Sequence, residues 1–166
     1  MASRSDEHRQ VIRMFYDAFA RGDVDGLRGC YHPDVSFGDP VFTELQGRER
    51  VVGMWRMLLG RASEFEVSAR DIDAGDHSGS AHWTVRYTFP PTGRRVRNEV
   101  DAQFRFEDGL IVRHRDVFDF RRWSTMAFGV PSGMVIGSMG VLRRRVRDRA
   151  RGQLEEYLRG NSPISG

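Results

Sequence analysis

An α+β fold, with a curled antiparallel sheet wrapped around N-terminal helices, is predicted by three features of this 166-residue chain. Helical periodicities come first in the sequence and strand-length runs follow them in an unbroken series. The joints between those runs are turn chemistry: Asp73 to Gly79, Pro90-Pro91-Thr92-Gly93 and Glu107-Asp108-Gly109. One face of the runs is apolar and the other is a lattice of Arg, Glu and Asp, as expected for a sheet that packs on one side only.

The elements follow in order. Ser5 or Asp6 can cap a helix that runs to about Arg21, with Val11, Ile12, Phe15 and Phe19 as its apolar stripe. Gly22-Asp23 ends it. A short second helix, Val24 to Tyr31, is closed by His32-Pro33, because a residue before proline resists the helical region. Val35, Phe37 and Asp39 then share one face of a strand that Pro40 interrupts. Gly47 to Ala62 reads as a third helix burying Val51, Val52, Trp55, Leu58 and Leu59. Four strands follow, Phe65 to Asp71, Ala81 to Phe89, Val96 to Phe106 and Leu110 to Phe120. In the second of these Trp83, Val85, Tyr87 and Phe89 alternate with polar residues, and in the third Val96, Asn98, Val100, Ala102, Phe104 and Phe106 do so.

Charge divides the chain at about residue 120. Residues 1–120 hold 17 arginines against 20 acidic residues, whereas 121–166 hold 9 against 3. All 26 basic residues are arginine, which codon usage explains as readily as function does. The chain therefore reads as a domain over 1–120 with a basic helical extension over 121–166. Within the extension, Trp123 to Leu142 carries no charge, but its glycines and Pro131 make it a poor membrane span. Residues 121–142 are expected to form short helices covering apolar surface near the cone opening, followed by an amphipathic helix, Arg143 to Leu158. Weak contact with an anionic membrane surface through 121–159 is the competing reading.

One cysteine, Cys30, excludes an internal disulfide and fits a reducing cytoplasm. The charged N-terminus lacks the apolar run of a secretory signal. Zinc-ligand spacing, a Walker loop and a Rossmann fingerprint are all absent, so no metal, cofactor or nucleic-acid partner is expected.

Chemistry concentrates in two places. On the last strand, Val112, His114, Asp116 and Phe118 fall on one face, and a plain core strand would not mix a histidine and a carboxylate with apolar residues. The plainer alternative is that His114 and Asp116 satisfy each other. Asp39 is likewise in step with apolar neighbours; its plainer role is to cap the turn before Pro40.

The stretches Phe15 to Leu27 (FYDAFARGDVDGL), Tyr31 to Val41 (YHPDVSFGDPV) and the hairpin Phe-Arg-Phe-Glu-Asp-Gly with its Arg-His-Arg-Asp return come in an order that resembles the nuclear transport factor 2-like superfamily from about Val11 to Phe120. These conical α+β barrels include ketosteroid isomerases, SnoaL-like polyketide cyclases and limonene-epoxide hydrolases. Likeness to the isomerases implies Asp39 as a general base, while the positions matching their enolate donors, Phe15 and Ala102, carry no such group. Likeness to the epoxide hydrolases implies a catalytic Asp116, although the inward residues of the neighbouring strand are Trp83, Val85 and Tyr87 in place of an arginine and a second aspartate. The SnoaL-like cyclases rely on a histidine and an aspartate that His114 and Asp116 could supply.

The resemblance implies a small-molecule acid–base enzyme acting on an apolar carbonyl or epoxide, with Asp39, His114 and Asp116 as catalytic residues. Phe15, Phe19, Phe37, Trp55, Trp83, Tyr87, Ala102, Phe104, Val112 and Phe118 are the expected substrate-binding residues, and a homodimer is the expected assembly. A non-catalytic binding module for an apolar molecule and a structural or assembly protein remain as alternatives.

Overall fold

A computed structural model describes residues 1–129 and 139–161. Helix α1 (Arg4–Ala20) begins at Ser3, whose hydroxyl accepts from the Asp6 N–H while Asp6 reaches back to the Ser3 N–H. This reciprocal cap moves the helix start two or three residues ahead of the Ser5 or Asp6 expected, and makes Asp6 the third helical residue. Helix α2 (Val24–Cys30) is capped by Asp23. Strand β1 (Tyr31–Gly38) follows directly and contains Pro33, which sits where the pairing with its neighbour is irregular, between Tyr31 and Ser36. After a two-residue strand β2 (Leu45–Gln46) comes α3 (Arg48–Arg61).

The remaining strands are β3 (Ser63–Ala74), β4 (Ser78–Phe89), β5 (Arg94–Glu107) and β6 (Leu110–Val117). They form one six-stranded sheet in the order β2-β1-β6-β5-β4-β3. Its edges do not meet, and it curves around the helices as an open α+β cone. Pairing is antiparallel except where β1 lies parallel to β6. Asp108 and Gly109, with φ of 52° and 75°, form the tight link between β5 and β6 that their sequence signals.

A register irregularity in that hairpin corrects one expectation. Arg105 pairs with Arg113, but Phe106 pairs with Ile111, so Val112 is an extra residue on β6. Ile111 is therefore fully buried and Val112 is displaced from the inner face, while His114 and Asp116 keep theirs. Arg97, Asp101, Arg105 and Arg113 are exposed on the outer face.

Past β6, Asp119 caps α4 (Phe120–Phe128), which packs Trp123, Phe120 and Ala127 around Val96. Helix α5 (Met139–Gly160) begins before the Arg143 expected. It buries Leu154 completely and brings Ala150, Tyr157 and Leu158 against the main core. Arg147 donates to the Pro40 carbonyl at 2.9 Å, and Arg50 pairs with Glu155. The expected short helices over Met134 and Ile136 lie outside the described residues. Among the described residues, no helix is long and apolar enough to cross a membrane.

Candidate functional site

Helix α3, strands β3 to β6, α4 and α5 enclose a cavity of about 550 Å³. Its depth is set by exposure. Trp55, Trp83, Val85, Asn98, Val100 and Asp116 are buried at its floor, while Leu58, Arg61, Pro90, Pro91 and Arg149 are exposed and mark its opening. The lining is mainly apolar, and it brings two carboxylates together, Asp39 and Asp116.

Asp39 follows the last residue of β1. Its Oδ1 accepts the backbone N–H of Val41 at 2.7 Å and of Phe42 at 2.5 Å, and its own N–H donates to the Phe42 carbonyl at 2.8 Å. The turn-capping role and the cavity position are thus held by one side chain, with Oδ2 left free of hydrogen bonds among the described residues. Burial pushes its pKa from 3.8 up to about 7; the negative charge of Asp116 adds to the rise, and the two N–H donors and Arg147 oppose it.

Gly38 fixes this turn because a Cβ there would stand 2.6 Å from the Thr43 carbonyl and would also meet the Arg115 guanidinium. Gly38→Ala should therefore displace the Asp39 loop and cost about 1–3 kcal/mol in urea unfolding. An unchanged unfolding midpoint would show that the loop relaxes freely.

Asp116 is held from behind. Its Oδ1 accepts from Trp83 Nε1 at 3.3 Å and lies 2.9 Å from His114 Nε2. His114 Nδ1 is 2.7 Å from the Tyr31 hydroxyl, which accepts from Trp55 Nε1 at 3.0 Å. Because Trp55 can only donate, the Tyr31 hydrogen is free to go to His114 Nδ1, and the Nε2–H of a neutral imidazole then points at Asp116. The chain Trp55, Tyr31, His114, Asp116 is in this way satisfied with one direction of donation.

Tyr31→Phe would leave two buried groups without partners, the Trp55 N–H and His114 Nδ1. It is expected to cost about 2–4 kcal/mol, measured by chemical denaturation. A loss near zero would mean that water replaces the hydroxyl.

These contacts correct the expectation that His114 lines the pocket. It is fully buried among the rings of Phe15, Phe37 and Phe104, at 5.4, 5.0 and 4.6 Å, and orients Asp116 from outside the cavity. Phe15, Phe37 and Phe104 are core around that histidine, Ala102 pairs with Asp116 across β5 and β6, and Val112 is the extra residue of the hairpin. None of these five lines the cavity, whereas Phe19, Trp55, Trp83, Tyr87 and Phe118 do.

Val41, Phe42 and Asn98 are among the lining residues that the sequence does not single out. Val41 and Phe42 enter with the loop after Asp39, and Asn98, although its place in the β5 alternation was visible, is the buried amide on the floor. The Tyr87 hydroxyl accepts from Trp123 Nε1 at 2.9 Å and keeps its own hydrogen available. Burial raises its pKa against the Trp123 hydrogen bond, and the Asp39 charge raises it further, so the phenol stays protonated near neutral pH. Among the described residues, no cluster of three or more His, Cys, Asp or Glu could hold a metal ion.

No curated protein matches the chain. A solved LEH-like epoxide hydrolase of M. tuberculosis superposes with a TM-score of 0.66 at 24% identity, over 82% of this chain and 100% of that one. A candidate SnoaL-like polyketide cyclase from Jannaschia sp. CCS1 gives 0.69 at 15% identity, over 79% and 98%. TerC co-crystallized with polyporic acid gives 0.65 at 16% identity, over 74% and 98%. At these identities the likeness is one of fold. The model of the SnoaL-like domain family matches residues 12–114, more than half of the chain, and the protein therefore belongs to that family.

Proposed function

We propose that the protein is a small-molecule enzyme that moves protons on an apolar carbonyl or epoxide substrate. The observation that carries this reading is the pair of carboxylates on one apolar cavity, with Asp39 held near pKa 7, where it exchanges protons readily at neutral pH. Ionised Asp39 acts through Oδ2, taking a proton either from the carbon beside a carbonyl or from a water that opens an epoxide. The Tyr87 hydroxyl donates to the substrate oxygen on which charge develops. Asp116, oriented by His114 and Trp83, binds or activates the second polar group of the substrate.

A binding module for an apolar molecule is the second reading. It is favoured by the absence of donor side chains at Phe15 and Ala102, the positions at which the resembled isomerases stabilise an enolate. Turnover of a panel of apolar ketones and epoxides separates the two. The enzyme reading expects kcat/KM for the accepted substrate to rise with pH through about 7, and to fall by at least about 100-fold in Asp39→Asn. Turnover that persists when Asp39→Asn and Asp116→Asn are combined would assign the cavity to binding.

A further inference from the structure

The cavity opening carries two arginines, Arg61 from the last turn of α3 and Arg149 from α5. Four other arginines of these helices are engaged: Arg48 donates to the Tyr31 carbonyl, Arg50 pairs with Glu155, Arg147 holds the Pro40 carbonyl and Arg143 lies over the Phe120 ring. The remaining five, Arg56, Arg144, Arg145, Arg151 and Arg159, do not line the cavity. Arg61 and Arg149 make no ion pair or hydrogen bond among the described residues, and no carboxylate stands beside them in the exposed part of the lining. The acidic liners are Asp116 on the floor and Asp39 in the wall, so the cavity is polarised from a cationic mouth to an anionic interior.

We infer that the molecule taken into this cavity is a monoanionic amphiphile, with an apolar body in the interior and a carboxylate held at the mouth by Arg61 and Arg149. This rests on the reading of the cavity as the substrate site. A guanidinium presents paired donors that match a carboxylate, and two unopposed guanidiniums attract an anion from solution. The interior carboxylates repel the same anion. A carboxylated molecule is therefore admitted neutral end first, which places its far end, rather than its charged end, against Asp39 and Tyr87. The two arginines thus select for charge and also set the direction of entry.

The chain's three tryptophans, Trp55, Trp83 and Trp123, all line the cavity, so intrinsic fluorescence reports its occupancy. The full-length protein is titrated with decanoate, decanol and decylammonium at neutral pH. Decanoate is expected to bind about tenfold more tightly than decanol, and decylammonium more weakly than either. The preference for decanoate should narrow at high salt. It should vanish in the double variant Arg61→Gln, Arg149→Gln, with decanol affinity unchanged. Equal affinity for decanoate and decanol, or a preference that survives the double substitution, overturns the inference while the cavity assignment stands. If none of the three binds, the cavity assignment falls and the inference with it.

Discussion

Asp39→Asn is expected to abolish turnover and, at pH 8, to make the protein more stable. The folded-state pKa of Asp39 lies near 7 against an ordinary 3.8. Between about pH 4 and pH 7 the folded chain therefore holds a proton that the unfolded chain has released. Stability must fall as pH rises through that window, because the native state binds more protons there. Below about pH 4 both states are protonated and the group contributes no slope; above about pH 7 the full penalty of the buried charge is present.

Asparagine keeps an oxygen for the Val41 and Phe42 N–H groups and never ionises. The gain for Asp39→Asn should be on the order of 2 kcal/mol at pH 8 and close to zero at pH 4, read from urea unfolding at both values. A variant that is less stable than the parent at pH 8 would mean that the ionised carboxylate is well solvated in the fold. The role of a base near neutrality would then lose its physical support. A residue that costs stability in the pH range where it would act is the pattern expected of a functional group rather than a structural one.

Removing α5 by ending the chain at residue 138 should have the largest effect on the fold. Leu154 is fully buried, Ala150, Tyr157 and Leu158 pack on the main core, and Val146 packs on the cluster around Trp123. Leu154→Ala alone should cost about 2–4 kcal/mol. The truncation should cost more, lower the melting temperature, and expose apolar lining to dyes and self-association. The chain would also lose Arg149 from the cavity mouth and the Arg147 contact that ties α5 to the loop carrying Asp39. A truncated chain that melts unchanged, together with salt-sensitive binding of the full chain to anionic vesicles, would reassign α5 from a cover to a membrane-surface element.

The sheet and most of its facing were legible in the sequence because local period and burial agree on β4 and β5, where Trp83, Val85, Val96, Asn98, Val100, Ala102, Phe104 and Phe106 are all buried. Facing failed at Val112, where an extra residue breaks the period of two, a feature that composition does not signal. Which inward residues reach a cavity and which form solid core is a question of depth, and alternation has no access to depth. Phe15, Phe37 and Phe104 point inward as expected, yet they close around His114 and leave no space beside it. Asp39 was singled out by its phase with Val35 and Phe37, but it lies past the end of β1, and its position comes from the turn it caps. The two-cation mouth could not be read at all, because Arg61 and Arg149 belong to helices far apart in the chain and line one cavity only when α5 docks.

The parallel pairing of β1 with β6 has a kinetic consequence. Tyr31 aligns with Ile111 and Phe37 with His114, so the strand leading to Asp39 finds its long neighbour only in the last strand of the sheet. Until then its pairing is limited to the two residues of β2. Closing so long a loop is slow compared with zipping the β3–β4–β5 hairpins, which are local. During synthesis the meander can form first, with Asp39 and Asp116 still apart, and the two carboxylates share a cavity only once β6 has emerged and paired. Folding rate should therefore be more sensitive to substitutions at Val35 or Ile111 than to equally disruptive ones on β3.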